Sequence, residues 1–99
     1  MNHYRQGDVL LRPATGKVDC TETGEAVLAL GEVSGHSHRM AGVAFHKGDS
    51  GLADQILVPP EGATLVHEEH EAQQIPEGAY EVVLQREYDV VEGTRQVLD

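Results

Sequence analysis

Glycine constrains this chain more than any other residue. Eleven glycines, with four prolines, are scattered along 99 residues, and each marks a place where a regular element is easily interrupted. Nowhere does a useful length of sequence carry the 3.6-residue apolar spacing of an amphipathic helix. Short strands joined by turns are the arrangement left. Val9-Leu10-Leu11 reads as a first strand, ended by Arg12-Pro13 because proline cannot donate to a ladder. Residues 16–24 are polar and read as a loop. Residues 25–30 are apolar on both faces, so a central strand and a turn and a half of helix both fit. From Glu32 the pattern is a run of hairpins. Ser34, His36, His38 and Met40 share one face of a strand, Ala41-Gly42 makes a tight turn, and residues 43–46 return. A loop at Lys47-Gly48-Asp49-Ser50-Gly51 leads to a strand at residues 55–58, stopped by Pro59-Pro60-Glu61-Gly62. Residues 63–69 and 73–75 follow, before a second Pro-Glu-Gly turn at Pro76-Glu77-Gly78. The last strand is the clearest. Tyr80, Val82, Leu84 and Tyr88 lie on one face with Arg86 among them, and Glu81, Gln85 and Glu87 lie opposite. The expected fold is all-β, a small antiparallel barrel or sandwich.

Ninety-nine residues make one domain, residues 1–99, near the lower end of what supports an ordinary core. With no Trp, one Phe and three Tyr, that core has to come from Val, Leu, Ile and Ala. Small cores of this kind gain from dimerisation or a bound ion, and exposed sheet edges make a homodimer an option. The formal charge of −10 repels phosphate backbones, which disfavours nucleic acid as a partner, and attracts cations. Cys20 is the one cysteine, so an internal disulfide and a cysteine zinc cage are both excluded. The first eight residues hold no apolar stretch of the signal-peptide kind. The longest apolar run, residues 26–30, is too short for a bilayer. A cytoplasmic protein without a membrane span is the expectation.

Gly35-His36-Ser37-His38 is the sharpest chemical feature. On a strand, residues i and i+2 project the same way with β-carbons roughly 6–7 Å apart. Two imidazole nitrogens so placed can converge on one ion at about 2.0–2.1 Å each. A second cluster, His67-Glu68-Glu69-His70, adds donors. On a strand His67 and Glu69 share a face and His70 points away; on a helical turn His67 and His70 share one. The preceding Ala63-Thr64-Leu65-Val66 is β-like, which favours the first. His36, His38 and His67 then make a three-histidine site with open positions, and His70 or Glu69 is the candidate fourth ligand. The spacing is not that of the helical zinc-protease motif. His46 is a substitute ligand at best, and His3 sits near the terminus. Arg86 interrupts an apolar face, so it needs a carboxylate partner such as Glu69 or an anionic ligand. The segment Gln6-Gly7-Asp8 can bring Asp8 near a site, but nothing in the sequence demands it. No glycine-rich phosphate loop and no nucleophile elbow is present.

The spacing of these motifs resembles the cupin superfamily. Cupins carry His-x-His after a glycine and then Pro-x-Gly followed by another His. Here Gly31 and Gly35 precede His36-Ser37-His38, and Pro60-Glu61-Gly62 precedes His67, a match over residues 31–80. The resemblance implies a metal held inside a barrel by those three histidines. The whole chain is also similar to small uncharacterised bacterial and phage-borne proteins with Gly-Glu-Val-x-Gly-His-x-His-Arg, His-x-Glu-His and Gln-Arg-Glu-Tyr. Those segments are residues 31–39, 67–70 and 85–88 here, and the similarity implies no activity.

Three functional readings follow. The first is a metal-binding β-barrel with a three-histidine site for Zn, Mn, Fe or Ni, in which the ion activates water or a small molecule. Glu69 is then the candidate general base, and Arg86 a candidate for gripping an anionic substrate. The second is a non-catalytic β module that binds a protein partner or small ligand, its histidines forming a pH-sensitive patch. The third is a metal-dependent nuclease or phosphoesterase, where bound ions locally reverse the negative field. The missing basic groove counts against it.

Overall fold

The structure, a computed structural model, describes residues 2–31 and 35–85. All regular structure in them is strand: β1 (Tyr4–Gln6), β2 (Val9–Pro13), β3 (Glu22–Leu30), β4 (Ser37–Lys47), β5 (Ala53–Val58), β6 (Ala63–Val66), β7 (Gln73–Ile75) and β8 (Gly78–Leu84). The strands form one antiparallel sheet in the order β1-β2-β8-β5-β4-β6-β7, with β3 pairing the other side of β4. The sheet curls until it is nearly a closed barrel, which bears out the all-β expectation. Among the described residues no helix is long and apolar enough to cross a membrane.

The interior is aliphatic, as the composition requires. Val9, Leu11, Leu28, Met40, Ile56, Val58, Leu65 and Ile75 are essentially sealed from water, with Tyr80 the one large aromatic among them. In β8, Tyr80 is buried while Val82 and Leu84 pack against the core from its edge. That is the alternation expected of this strand as far as Leu84. Its continuation through Arg86 to Tyr88 lies outside the described residues, as does Ser34.

Three local expectations change. The chain starts its first hairpin earlier than Val9. Gln6 pairs with Val9, leaving Gly7-Asp8 as a two-residue turn with Gly7 at φ 60°, a positive φ that only glycine adopts without steric cost. The polar segment ahead of Glu25 is not all loop, because residues 22–24 already pair with β4. Ala41-Gly42 is not a turn either. Eleven residues of β4 run through it, and Ala41 and Gly42 together stand opposite Glu25 as a bulge. The bend there lets β4 change partners: residues 39 and 40 pair with β6, while residues 44–47 pair with β5. A second bulge explains the stretch that looked apolar on both faces. Val27 pairs with Arg39 and Ala29 with His38, so Leu28 is the extra residue. The shift in phase turns both Leu28 and Ala29 inward.

The two edges of the sheet, β1 and β7, meet through side chains. Gln6 on β1 donates from Nε2 to the carbonyls of Leu65 (3.1 Å) and Glu71 (3.0 Å). Gln73 on β7 donates back to the carbonyl of Arg5. Amide side chains thus bridge a seam that no backbone ladder closes among the described residues.

Candidate metal centre

The site is built where that seam meets β4. The antiparallel register sets Arg39 opposite Val66 and Met40 opposite Leu65. One step beyond, the same register puts His38 opposite His67, and directly opposed residues are the ones whose side chains touch. The rings of His38 and His67 are 4.3 Å apart. Past Val66 the chain bends instead of continuing as a strand, and the bend swings His70 back to the same place. Its ring lies 4.7 Å from His67 and is stacked 5.7 Å from His38. The bend achieves without a helix what the helical-turn alternative expected of His67 and His70.

Two sets of donors result, each with its ligand atoms within 4.8 Å of one another: His38, His67 and His70, and His36, His67 and Glu68. His67 belongs to both, and either set could hold a metal ion. His36, at the foot of β4, meets His67 edge-on with ring centres 5.6 Å apart. Glu69 is largely exposed, and its carboxylate reaches 3.8 Å from His36 Nδ1. Arg86 lies outside the described residues. His46 is in neither set; it pairs with Asp54 at 2.7 Å, and that carboxylate, aided by Asp19 and Asp49, raises its pKa. A cleft of about 200 Å³ lies beside Leu28, Leu52, Asp54, Val82 and Leu84, and no histidine lines it.

The two sets differ in electrostatics. In the second, the Glu68 carboxylate is already engaged. It accepts the Ser37 amide N–H at 3.0 Å and the Arg39 guanidinium at 2.8 Å. The Ser37 amide first, then Arg39, then its own backbone N–H hold its pKa down to about 2.

His38 is the most constrained of the rings. Gln6 and His38 are the buried polar side chains of the described core, 2% and 3% exposed, and they bond to each other, His38 Nδ1 to Gln6 Oε1 at 2.8 Å. Both Gln6 amide hydrogens are committed to the Leu65 and Glu71 carbonyls, so Oε1 has to be the atom that faces His38. His38 Nδ1 therefore carries the proton, and in the neutral ring Nε2 presents a lone pair. That Nε2 faces Asp8 Oδ1 at 3.5 Å. The arrangement matches the outer-shell bond that fixes tautomer and direction of metal-ligating histidines. His67 is bonded differently: its Nδ1 accepts the Glu69 backbone N–H at 3.0 Å. An ion on His67 requires that this ring turn over or give up that amide.

Gln6 is the residue beside the candidate site that the sequence reading did not single out, and Asp8, which the sequence allowed near a site without demanding it, lies against His38. A signal for them exists: Gly7-Asp8 is a two-residue hairpin sequence between Tyr4-Arg5-Gln6 and Val9-Leu10-Leu11. Only the tertiary fold brings that turn against the histidines. A Cβ on Gly7 would lie 2.7 Å from His70 Nε2 and 3.3 Å from His38 Cε1.

No curated protein and no solved structure matches the chain at a significant level. Residues 5–85, which span all eight strands but the first residue of β1, match the sequence profile of one family. The chain belongs to that family, described as a domain of unknown function, DUF8820.

Proposed function

We propose that this protein binds one divalent transition metal through His38, His67 and His70, leaving coordination positions open to water or a small ligand. The observation that carries the reading is the convergence of three imidazoles from two separate parts of the chain around a ring whose tautomer is fixed. A tetrahedral ion at about 2.0–2.1 Å from each nitrogen would hold them roughly 3.3 Å apart. Their nitrogens already lie within 4.8 Å of one another, so side-chain rotation suffices to close the set. Imidazole donors suit Zn, Fe or Ni, and Mn becomes competitive if a carboxylate joins. The ion would then act as a Lewis acid on what occupies its open positions. His36 and Glu68 would flank the ion, with Arg39 neutralising Glu68, and Glu69, whose carboxylate lies 3.8 Å from His36 Nδ1, is the candidate proton acceptor. With one cysteine and a formal charge of −10, a reducing cytoplasm is the compartment we assign.

Protein purified without a histidine tag is to be assayed by elemental analysis, then titrated calorimetrically with Zn, Mn, Fe(II) and Ni. One equivalent of ion is expected, lost in His38→Ala, His67→Ala and His70→Ala. Ion at a hundred times its Kd should add about 2.7 kcal/mol of stability, visible as a rise in Tm that a chelator reverses. Protein that carries no ion and takes up none of the four would end the proposal.

A further inference from the structure

We infer that Asp8 is a fourth ligand of this centre, so that the ion is held by three histidines and one carboxylate, a set that leaves a position open to water only when the ion takes five or more ligands. The inference rests on the reading of His38, His67 and His70 as a metal site. It starts from a distance. Asp8 Oδ1 and His38 Nε2 are 3.5 Å apart, beyond the usual 2.7–3.2 Å of a hydrogen bond. Ligands at about 2.0–2.2 Å from a shared tetrahedral ion keep roughly 3.4 Å between them. The separation from His38 is thus one that two donors to one ion can take, and Asp8, which lies outside the donor set within 4.8 Å, has to shift toward His67 and His70 to complete the shell.

The chemistry of the two atoms agrees. Because Gln6 obliges His38 to carry its proton on Nδ1, the neutral ring turns a lone pair toward a carboxylate oxygen. The hairpin delivers Asp8 to this place by construction. The Asp8 carbonyl accepts the Gln85 amide at 2.7 Å, and Gly7, without a side chain, lets the turn lie against His70 and His38. A carboxylate also answers a charge problem. Three neutral imidazoles leave a divalent ion uncompensated, and Asp8 takes one unit of that charge close at hand. The competing arrangement is a metal-free ion pair between Asp8 and a protonated His38.

The test uses the whole protein with cobalt(II) as a spectroscopic probe and Zn as the affinity probe. Asp8→Asn and Asp8→Ala are compared with Asp54→Asn, which removes the same charge from the His46 pair, outside either donor set. The metal-free variants are first checked for an unchanged Tm and circular dichroism spectrum. The expected result is that both Asp8 variants weaken Zn binding by more than the roughly 10- to 100-fold that losing an outer-shell partner costs. The cobalt d–d bands should also shift and change intensity, while Asp54→Asn does neither. Weaker binding with superimposable cobalt bands would make Asp8 a counter-charge and overturn its assignment as a ligand. Unchanged affinity would overturn it as well. If the unaltered protein gives no cobalt bands at all, the histidine site itself fails, a result distinguishable from the loss of Asp8 alone.

Discussion

Gln6 does two things at once. Its amide hydrogens tie β1 to the chain on either side of the 67–70 bend, and its oxygen fixes the tautomer of His38. Replacing it with Leu keeps the bulk and removes every bond. The carbonyls of Leu65 and Glu71 and the Nδ1 proton of His38 would then lack this partner. Each buried polar group so stranded costs on the order of 1–3 kcal/mol. Gln6→Leu should therefore lower stability by a few kcal/mol in denaturant titration. It should also weaken metal binding by roughly 10- to 100-fold, with His38 sampling both tautomers in ¹⁵N NMR. A stability loss with unchanged affinity and tautomer would confine Gln6 to the seam. The sequence shows the hairpin that carries Gln6 but not these bonds. A lone glutamine before a glycine carries no periodic or motif signal, and its meaning comes from carbonyls 59 and 65 residues away.

Among the elements, β4 decides most. It carries His38, meets β3 on one side, and on the other side passes from β6 to β5. The change of partner happens at the Ala41-Gly42 bulge, where Gly42 takes φ 74°. A Cβ there would meet nothing within 4 Å, so the cost of Gly42→Ala is conformational, about 1–2 kcal/mol for an L-residue forced into the left-handed region. Gly42→Asn should cost less, because Asn tolerates that region better. Equal stability of all three proteins in denaturant titration would show that the bend does not depend on glycine. The dipeptide had suggested a hairpin turn, and the suggestion was reasonable, since small residue plus glycine fits both a turn and a bulge. What separates them is whether the flanking residues pair with each other or with other strands, which is a non-local fact.

At the level of the whole molecule, two glutamine side chains bridge the sheet edges β1 and β7, between which the described residues form no continuous ladder. The donors of the proposed metal centre lie on both sides of that seam: Asp8 in the β1–β2 turn, His67 and His70 between β6 and β7, and His38 on β4. An ion bound there would clasp the open edges together. Amide hydrogen exchange in β1 and β7 should consequently slow when Zn is added, while exchange in the β2, β5 and β8 ladder changes little. Equal protection of all strands with and without ion would mean that the seam is closed by the chain alone.

The sequence by itself determined that this chain is built of strands, that its core is aliphatic, and that histidines are its distinctive chemistry. These are properties of composition and short-range pattern, because a strand declares itself by alternation and a glycine-rich chain leaves helices no room. The tertiary structure alone decided which donors meet. His38 finds His67 through the β4–β6 register, His70 joins through a bend, and Asp8 arrives on a hairpin from the far end of the sequence. Such convergence depends on how strands align across the sheet, and a shift of one residue in register would turn His38 to the opposite face.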